Sequence, residues 1–398
     1  MVVYDVCVMS RLAIHAARAC TPLEEIPDAL LIVEDGRVAA IGRRDAASLP
    51  SGVQEIDARE LTLAPGFVDV HIHGAGGFDV MDATPQAMST VAATVARFGT
   101  TSLLATTVTA SPDRTCRSLE GMAQFIRRQH DSASAPVAAE YLGIHFEGPF
   151  ISHARKGVHP PEFIAAPSSE LLNRFLGAAG GFGRLLTLAP EIPGALDLVD
   201  AARGRGVVVG MGHTDAKFDQ AREAIARGAG HAVHVFNAMR PFSHRETGVL
   251  GAVLTDPTVT CELIADGVHV DDAAIKILLA AKGVRGTILI SDGTAATAMP
   301  DGNYRLGTFE VTVAGGVCRD ARGNLAGSTL TLDRALRKMV SLGVALPEAL
   351  AMLTRNPAQL LGLQERKGVL APGADADFVL LDDRMVLQSV FVKGSPVS

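Results

Sequence analysis

The sequence predicts an α/β fold: a parallel (β/α)8 barrel with a small β-domain assembled from the two chain ends. Three observations predict it. Eight short apolar runs recur through the middle of the chain, each ending in small or polar residues. Helix-period stretches fill most gaps between them, the pattern of buried parallel strands with helical crossovers. Both ends differ in texture, with β-prone runs broken by tight turns.

Taken in order, residues 1 to about 60 read as short strands. Leu30 to Val33 and Val38 to Ile41 flank a turn bearing Asp35-Gly36, a hairpin signal. The eight central runs lie at 66–73, 100–107, 140–147, 184–191, 206–213, 231–237, 259–266 and 286–292. Helical periodicity is clearest at 85–98, 112–130, 194–204, 215–227 and 271–282. No run carries the GxGxxG fingerprint of a dinucleotide fold, so a barrel is favoured over an open doubly wound sheet. Residues 300–326 break the alternation with Pro300-Asp301-Gly302-Asn303 and Gly315-Gly316, which predicts a hairpin excursion. Helices resume at 329–342 and 347–363, and strand texture returns at Phe378–Leu381 and Val390–Val392. The expected organisation is a β-domain from 1–62 and 367–398 around a catalytic barrel from 63–366.

Composition narrows the function. The 398 residues are 48% hydrophobic and 20% charged, enough for one large domain and an accessory one. A formal charge of -7 without any Lys/Arg run argues against nucleic acid or an anionic membrane as partner. The five cysteines are scattered without a CxxC pair, which predicts reduced thiols. With no leader-like segment and no long apolar run, the expectation is a soluble cytoplasmic protein.

In a barrel of this kind, reactive groups gather at the C-terminal ends of the strands. The first run ends in His71-Ile72-His73, and period-two geometry sends both imidazoles to one face, where they can chelate a metal. The third ends in Glu147, the fifth in His213, and the sixth offers His234 and Asn237. The seventh leads into Asp266 and His269, and the eighth into Ser291-Asp292. Imidazoles and carboxylates at six strand ends form a ligand set suited to zinc or a similar divalent ion. Glu147 can hold one metal or bridge two, and His213 and His234 are neutral nitrogen donors. Asp292 is placed to take a proton from water and pass it on. His269, in a loop, suits polarising a substrate carbonyl better than binding metal.

Together these residues resemble the amidohydrolase superfamily. The motifs are His71-x-His73, Glu147-Gly148-Pro149-Phe150, Gly212-His213-Thr214-Asp215-Ala216, His234-x-x-Asn237-Ala238-Met239, Asp266-Gly267-x-His269 and Ser291-Asp292. More narrowly, the chain resembles the N-acetylglucosamine-6-phosphate deacetylase family, also in segments without catalytic groups such as Leu325 to Thr331 and Gly368 to Asp377. The resemblance implies a distorted (β/α)8 TIM barrel with a β-sandwich built from both termini. It implies that Glu147, His213 and His234 hold the metal, that His269 stabilises the oxyanion, and that Asp292 carries the proton. It also implies substrate contacts from His159, Asn237, Ala238 and Arg245, with Arg245 forking onto phosphate. A homodimer is implied too, part of whose phosphate site can come from the partner subunit.

His71 and His73 then raise the number of ions, one or two per chain; zinc, iron, cobalt or manganese all suit the donors. Two rival substrates are an N-acetyl hexosamine 6-phosphate of the galactosamine type and the ring amides of dihydroorotase-like enzymes. The latter commonly use a carboxylated lysine on the fourth strand, and here that run ends in Ala189-Pro190-Glu191. His15, His130, His153 and His244 read as structural, and Met211, Met239 and Met299 as wall packing. His145 is compatible with either core packing or support of the site.

Overall fold

In the computed structural model, the described residues are 11–46, 49, 52–131 and 137–398. Expectations for residues 1–10, Cys7 included, lie outside them. All eight central runs are strands of one parallel sheet, numbered β1 to β8. These are β1 Phe67–Ile72, β2 Thr100–Thr107, β3 Glu140–Glu147, β4 Gly183–Leu188, β5 Val208–Met211, β6 His231–Ala232, β7 Thr260–Ile264 and β8 Thr287–Ile290. They pair in chain order from β1 to β8. The ring closes where Ile72 bridges Gly293 in parallel and the Asp292 amide donates to the His71 carbonyl at 2.9 Å. Asp69, buried in β1, reinforces the closure by accepting from the amides of His71 and Ser291 at 3.2 and 3.3 Å.

Several strands are shorter than their apolar runs, β6 most of all. β6 ends at Ala232 because the backbone turns left-handed at His234 (φ 32°) and Phe236 (φ 79°). That turn removes the ladder from a segment whose side chains still pack inward. The run at 347–363 is two helices, Leu346–Leu353 and Arg355–Leu360, hinged at Thr354. The excursion at 300–326 is a three-stranded antiparallel meander, Gly302–Leu306, Phe309–Ala314 and Val317–Arg319.

The sandwich expected of the two ends is, in hydrogen bonding, one seven-stranded sheet. Its N-terminal strands run from Arg11–Cys20 to Gln54–Pro65, and its C-terminal ones from Phe378–Leu381 to Ser395–Pro396. They meet where Gln54–Pro65 pairs antiparallel with Phe378–Leu381. The predicted hairpin is present, with Asp35 and Gly36 both at positive φ as its two-residue turn requires. Alternation along Arg11–Cys20 puts Leu12 and Ile14 in one apolar cluster and Ala13 in another, so both faces are covered. The barrel strands themselves are buried, apart from partly exposed first residues of β4, β5 and β7, and they share the largest apolar cluster with the helices around them. Among the described residues the four cysteines are buried free thiols, and no helix is long and apolar enough to cross a membrane.

Candidate metal centre and active site

The ends of the barrel strands converge on one cavity of about 470 Å³. His73, Glu147, His159, His213, His234, Asn237, Ala238, His269 and Asp292 all line it, as expected from the sequence. His71 lies immediately beneath, fully buried. Gly74 lets the chain leave His73 at once, because a Cβ there would lie 2.3 Å from the Phe78 carbonyl oxygen and 2.8 Å from the Ala295 nitrogen. His213, His234 and Asp292 hold left-handed backbone at φ 48°, 32° and 49°. Non-glycine residues adopt that region at a cost of order 1–3 kcal/mol, a strain found where a side chain must be aimed.

Two groups of three donors result. Glu147 Oε1 lies 3.1 Å from His213 Nε2 and 3.0 Å from His234 Nε2, and the two Nε2 atoms are 3.2 Å apart. On the other side Asp292 Oδ1 lies 3.1 Å from His73 Nε2 and 3.7 Å from His71 Nε2. Glu147 spans the two, with His71 Nε2 3.4 Å from its Oε1 and His73 Nε2 3.3 Å from its Oε2. Within each group the donor atoms are close enough to share one ion.

Hydrogen bonds behind the rings fix what they present. His213 Nδ1 donates to the Arg155 carbonyl at 2.9 Å, since a carbonyl only accepts. Burial and the neighbouring His159 push His213 down to about 4, so its ring is neutral near pH 7 and Nε2 is a lone pair. That lone pair faces the oxygen of Glu147. Burial alone would raise the Glu147 carboxyl, but His71 and hydrogen bonds from His159 and His234 hold it well below the usual carboxylate range. His73 Nδ1 likewise donates to the Thr106 carbonyl at 3.1 Å, leaving Nε2 to face two carboxylates. His159 is reversed: the Thr109 amide donates to its Nδ1, so Nε2 carries the proton and faces Glu147 Oε2 at 3.4 Å. It is a hydrogen-bond donor at the cavity wall.

His269 is held by Asp266, whose Oδ2 accepts from Nδ1 at 2.7 Å while Oδ1 accepts from the amides of Val268 and His269. His145 packs ring-edge against His71 at 4.6 Å and bonds Thr187 Oγ1 at 2.7 Å, so its buried ring supports a site residue. Glu191 does not join the donor groups; it accepts from Thr214 Oγ1 and the Asp215 amide, bracing the loop after β5.

One expected contact is not made within this chain. Arg245 lies on the exposed loop 241–246, outside the cavity of its own chain. The cations that do line the cavity are Arg155, already paired with Asp215 at 2.7 Å, together with Lys156 and Arg322. His153, read as structural, stands at the mouth. Arg322 and Asn324 have no signal in the sequence, because the turn that carries them belongs to the meander and reaches the cavity only through the tertiary fold. Met211 and Met239 are buried in the wall, whereas Met299 is 39% exposed.

Residues 62–397 match the family model described as the amidohydrolase family. The chain belongs to the amidohydrolase family. It is 38% identical to the N-acetylglucosamine-6-phosphate deacetylase of Lysinibacillus sphaericus over 91% of each chain. It is also 38% identical to the N-acetylgalactosamine-6-phosphate deacetylase of Escherichia coli O157:H7, over 96% of this chain and 99% of the relative. Among solved structures, a variant of the Mycobacterium smegmatis N-acetyl-D-glucosamine-6-phosphate deacetylase in complex with N-acetyl-D-glucosamine-6-phosphate superposes with a TM-score of 0.89. It is 36% identical, and the match covers 98% of this chain and 99% of that one. Within the amidohydrolases the chain therefore stands with the N-acetylhexosamine-6-phosphate deacetylases.

The residues of this amidohydrolase fit a divalent metal on their own chemistry. Neutral His213 and ionised Glu147 turn acceptor toward acceptor at 3.1 Å inside a closed core, an arrangement that needs a positive charge between them. His71 Nε2 is a buried ring nitrogen without a hydrogen-bond partner. Burial would lower His73, but Asp292 and Glu147 raise it to about 9, so protons gather where a metal would otherwise supply the charge.

Proposed function

We propose that this chain hydrolyses the acetamide of N-acetylglucosamine 6-phosphate, giving glucosamine 6-phosphate and acetate in amino-sugar catabolism or cell-wall recycling. The observation that carries this reading is the convergence of Glu147, His213, His234, His269 and Asp292 on one cavity in a chain that matches such deacetylases along nearly its whole length. The equal identity to a galactosamine-type deacetylase supports a second reading, the epimeric N-acetylgalactosamine 6-phosphate.

Glu147, His213 and His234 would hold one divalent ion, and His71, His73 and Asp292 a second beside it, with Glu147 between them. A divalent ion there supplies Lewis acidity, polarising the amide carbonyl and easing loss of a proton from water. Asp292 accepts the proton of the attacking water and returns it to the amine nitrogen as the C–N bond breaks. His269 donates from Nε2 to the carbonyl oxygen as negative charge develops there, and Asp266 carries the counter-charge when the ring holds both protons. His159 Nε2–H and Asn237 hydrogen-bond the sugar and its phosphate, and the Ala238 backbone N–H turns to the phosphate. Arg245 adds a bidentate fork from its exposed loop, which in a homodimer can serve the cavity of the partner subunit. Zinc suits the donors best, with iron, cobalt or manganese also compatible. The compartment we assign to this chain is the cytoplasm.

The test is acetate release from the N-acetyl 6-phosphates of glucosamine, galactosamine and mannosamine, with metal content measured on the same sample. A kcat/KM at least tenfold higher for the glucosamine compound is the expected result. Preference for galactosamine would move the chain to the second reading, and no acetate from any of the three by metal-replete protein would reject both.

A further inference from the structure

Glu262 has no place in the reaction described above, and its surroundings are unusual. It sits in the middle of β7 and is 0% exposed, with no lysine or arginine bonded to it. A carboxylate so placed is costly unless donors surround it. Three do. His71 Nδ1 lies 2.9 Å from Oε2, the backbone N–H of His234 3.1 Å from the same oxygen, and His231 Nε2 2.9 Å from Oε1. The Thr260 hydroxyl, 2.7 Å from His231 Nδ1, can donate there, which leaves the Nε2 proton of His231 for Glu262.

The consequence lies in the direction of these bonds. A carboxylate accepts, so His71 must carry a proton on Nδ1, which leaves Nε2, turned toward Glu147 and Asp292, as the nitrogen that an ion can take. That nitrogen is the one left without a hydrogen-bond partner. The other tautomer would put a proton where an ion has to sit. The same oxygen holds the amide of His234, whose backbone is kept at φ 32°, the conformation that aims its ring at Glu147. One carboxylate thus touches both three-donor groups from behind, and it is absent from the cavity wall.

We propose that Glu262 is a positioning residue for the metal centre, fixing the tautomer and direction of His71 and the backbone of His234. It thereby sets how tightly the His71–His73–Asp292 group holds its ion. This rests on the two-ion reading above. His231 acts through it as a brace, and neither residue touches substrate.

The test is titration of full-length, chelator-stripped protein with Zn²⁺ alone or Co²⁺ alone, following heat and, for cobalt, the visible spectrum. No sugar is present, so failure of the deacetylase reading would show separately, as missing acetate with metal binding intact. Glu262→Asp draws the carboxylate back by one methylene and should weaken one of two ions by about 10–100-fold, the usual effect of losing such a partner. Glu262→Gln keeps an acceptor oxygen for His71 and His234 and should stay within about tenfold of the wild type. Being isosteric, it keeps the test open should the aspartate variant lose its native circular dichroism. Unchanged affinities in Glu262→Asp would overturn the proposal. So would a glutamine variant that loses the ion, since buried charge and not acceptor geometry would then matter. A wild-type chain that takes up a single ion would overturn it as well.

Discussion

Asp292 Oδ1 lies 3.1 Å from His73 Nε2, so the carboxylate assigned to proton transfer is held by the histidine pair of the first strand. The opposite face of that ring is already committed to the Thr106 carbonyl. Asp292 is therefore aimed by β1, although β8 carries it. Asp292→Asn keeps size and one acceptor but cannot take up a proton. We expect kcat to fall by about 10²–10⁴-fold with KM nearly unchanged, because general acid–base contributions are of that size. A steady-state comparison showing kcat within threefold of wild type would remove the proton-carrying role.

The histidine pair can be separated from the rest of the centre. His71→Gln/His73→Asn leaves Glu147, His213 and His234 untouched. Elemental analysis should then find one ion fewer per chain, with the Glu147 group still filled. An unchanged count would reduce the pair to support for Asp292.

Arg245 makes a prediction about assembly. Its loop is exposed and outside its own cavity, so Arg245→Ala should raise KM for the phosphorylated sugar by about 10–100-fold, the worth of a charge-assisted hydrogen bond. KM for the unphosphorylated sugar should not move. If the arginine serves the partner subunit, Arg245→Ala and Asp292→Asn chains, each nearly inactive alone at substrate far below the wild-type KM, should complement when mixed. Half the dimers would then be hybrids with one competent site, giving about a quarter of wild-type activity. No recovery on mixing would place the arginine's action within its own chain.

Most of the cavity lining was legible because six of the eight barrel strands lead at their C-terminal ends into a residue whose chemistry is hard to explain otherwise. His213, His234 and Asp292 stand two residues beyond their strands, where period-two reasoning no longer applies and only the left-handed backbone aims them. Glu262 was not legible, since a lone acid in the middle of a strand carries no motif and its partners come from β1 and β6. The cavity contacts of Arg322 and Asn324 escaped for the same reason. Arg245 shows a different limit: the family resemblance picks out a cation near the site in sequence, and says nothing of which copy of the chain it serves.

The join between barrel and terminal sheet can be tested through pH. Lys367, 1% exposed, reaches Glu140 Oε2 at 2.9 Å, Asp377 Oδ2 at 2.6 Å and Asp375 Oδ2 at 2.9 Å. Glu140 opens β3 at the end away from the cavity, and the two aspartates lead into Phe378–Leu381 of the terminal sheet. Burial would raise Glu140, but Lys367, Lys393 and Arg366 outweigh it and hold the carboxyl below the usual range. Its contribution is present above the unfolded value of about 4.3 and is lost as pH falls through the folded one. Asp377 goes the other way, burial exceeding the pull of Lys367, so the acid-side loss belongs to Glu140. Burial would lower Lys367, but Asp377, Glu140 and Asp375 raise it above the ordinary lysine value. That contribution is complete below about 10.4 and is lost as pH rises through the folded value. Lys367→Met leaves Asp377 without a cation and Glu140 and Asp375 with only their outer partners such as Arg366, and should cost about 3–5 kcal/mol at pH 7. Urea denaturation across pH should show the gap between wild type and variant widest from about pH 5 to 10 and narrowing at both extremes. A gap independent of pH would mean that Lys367 stabilises the join by packing alone.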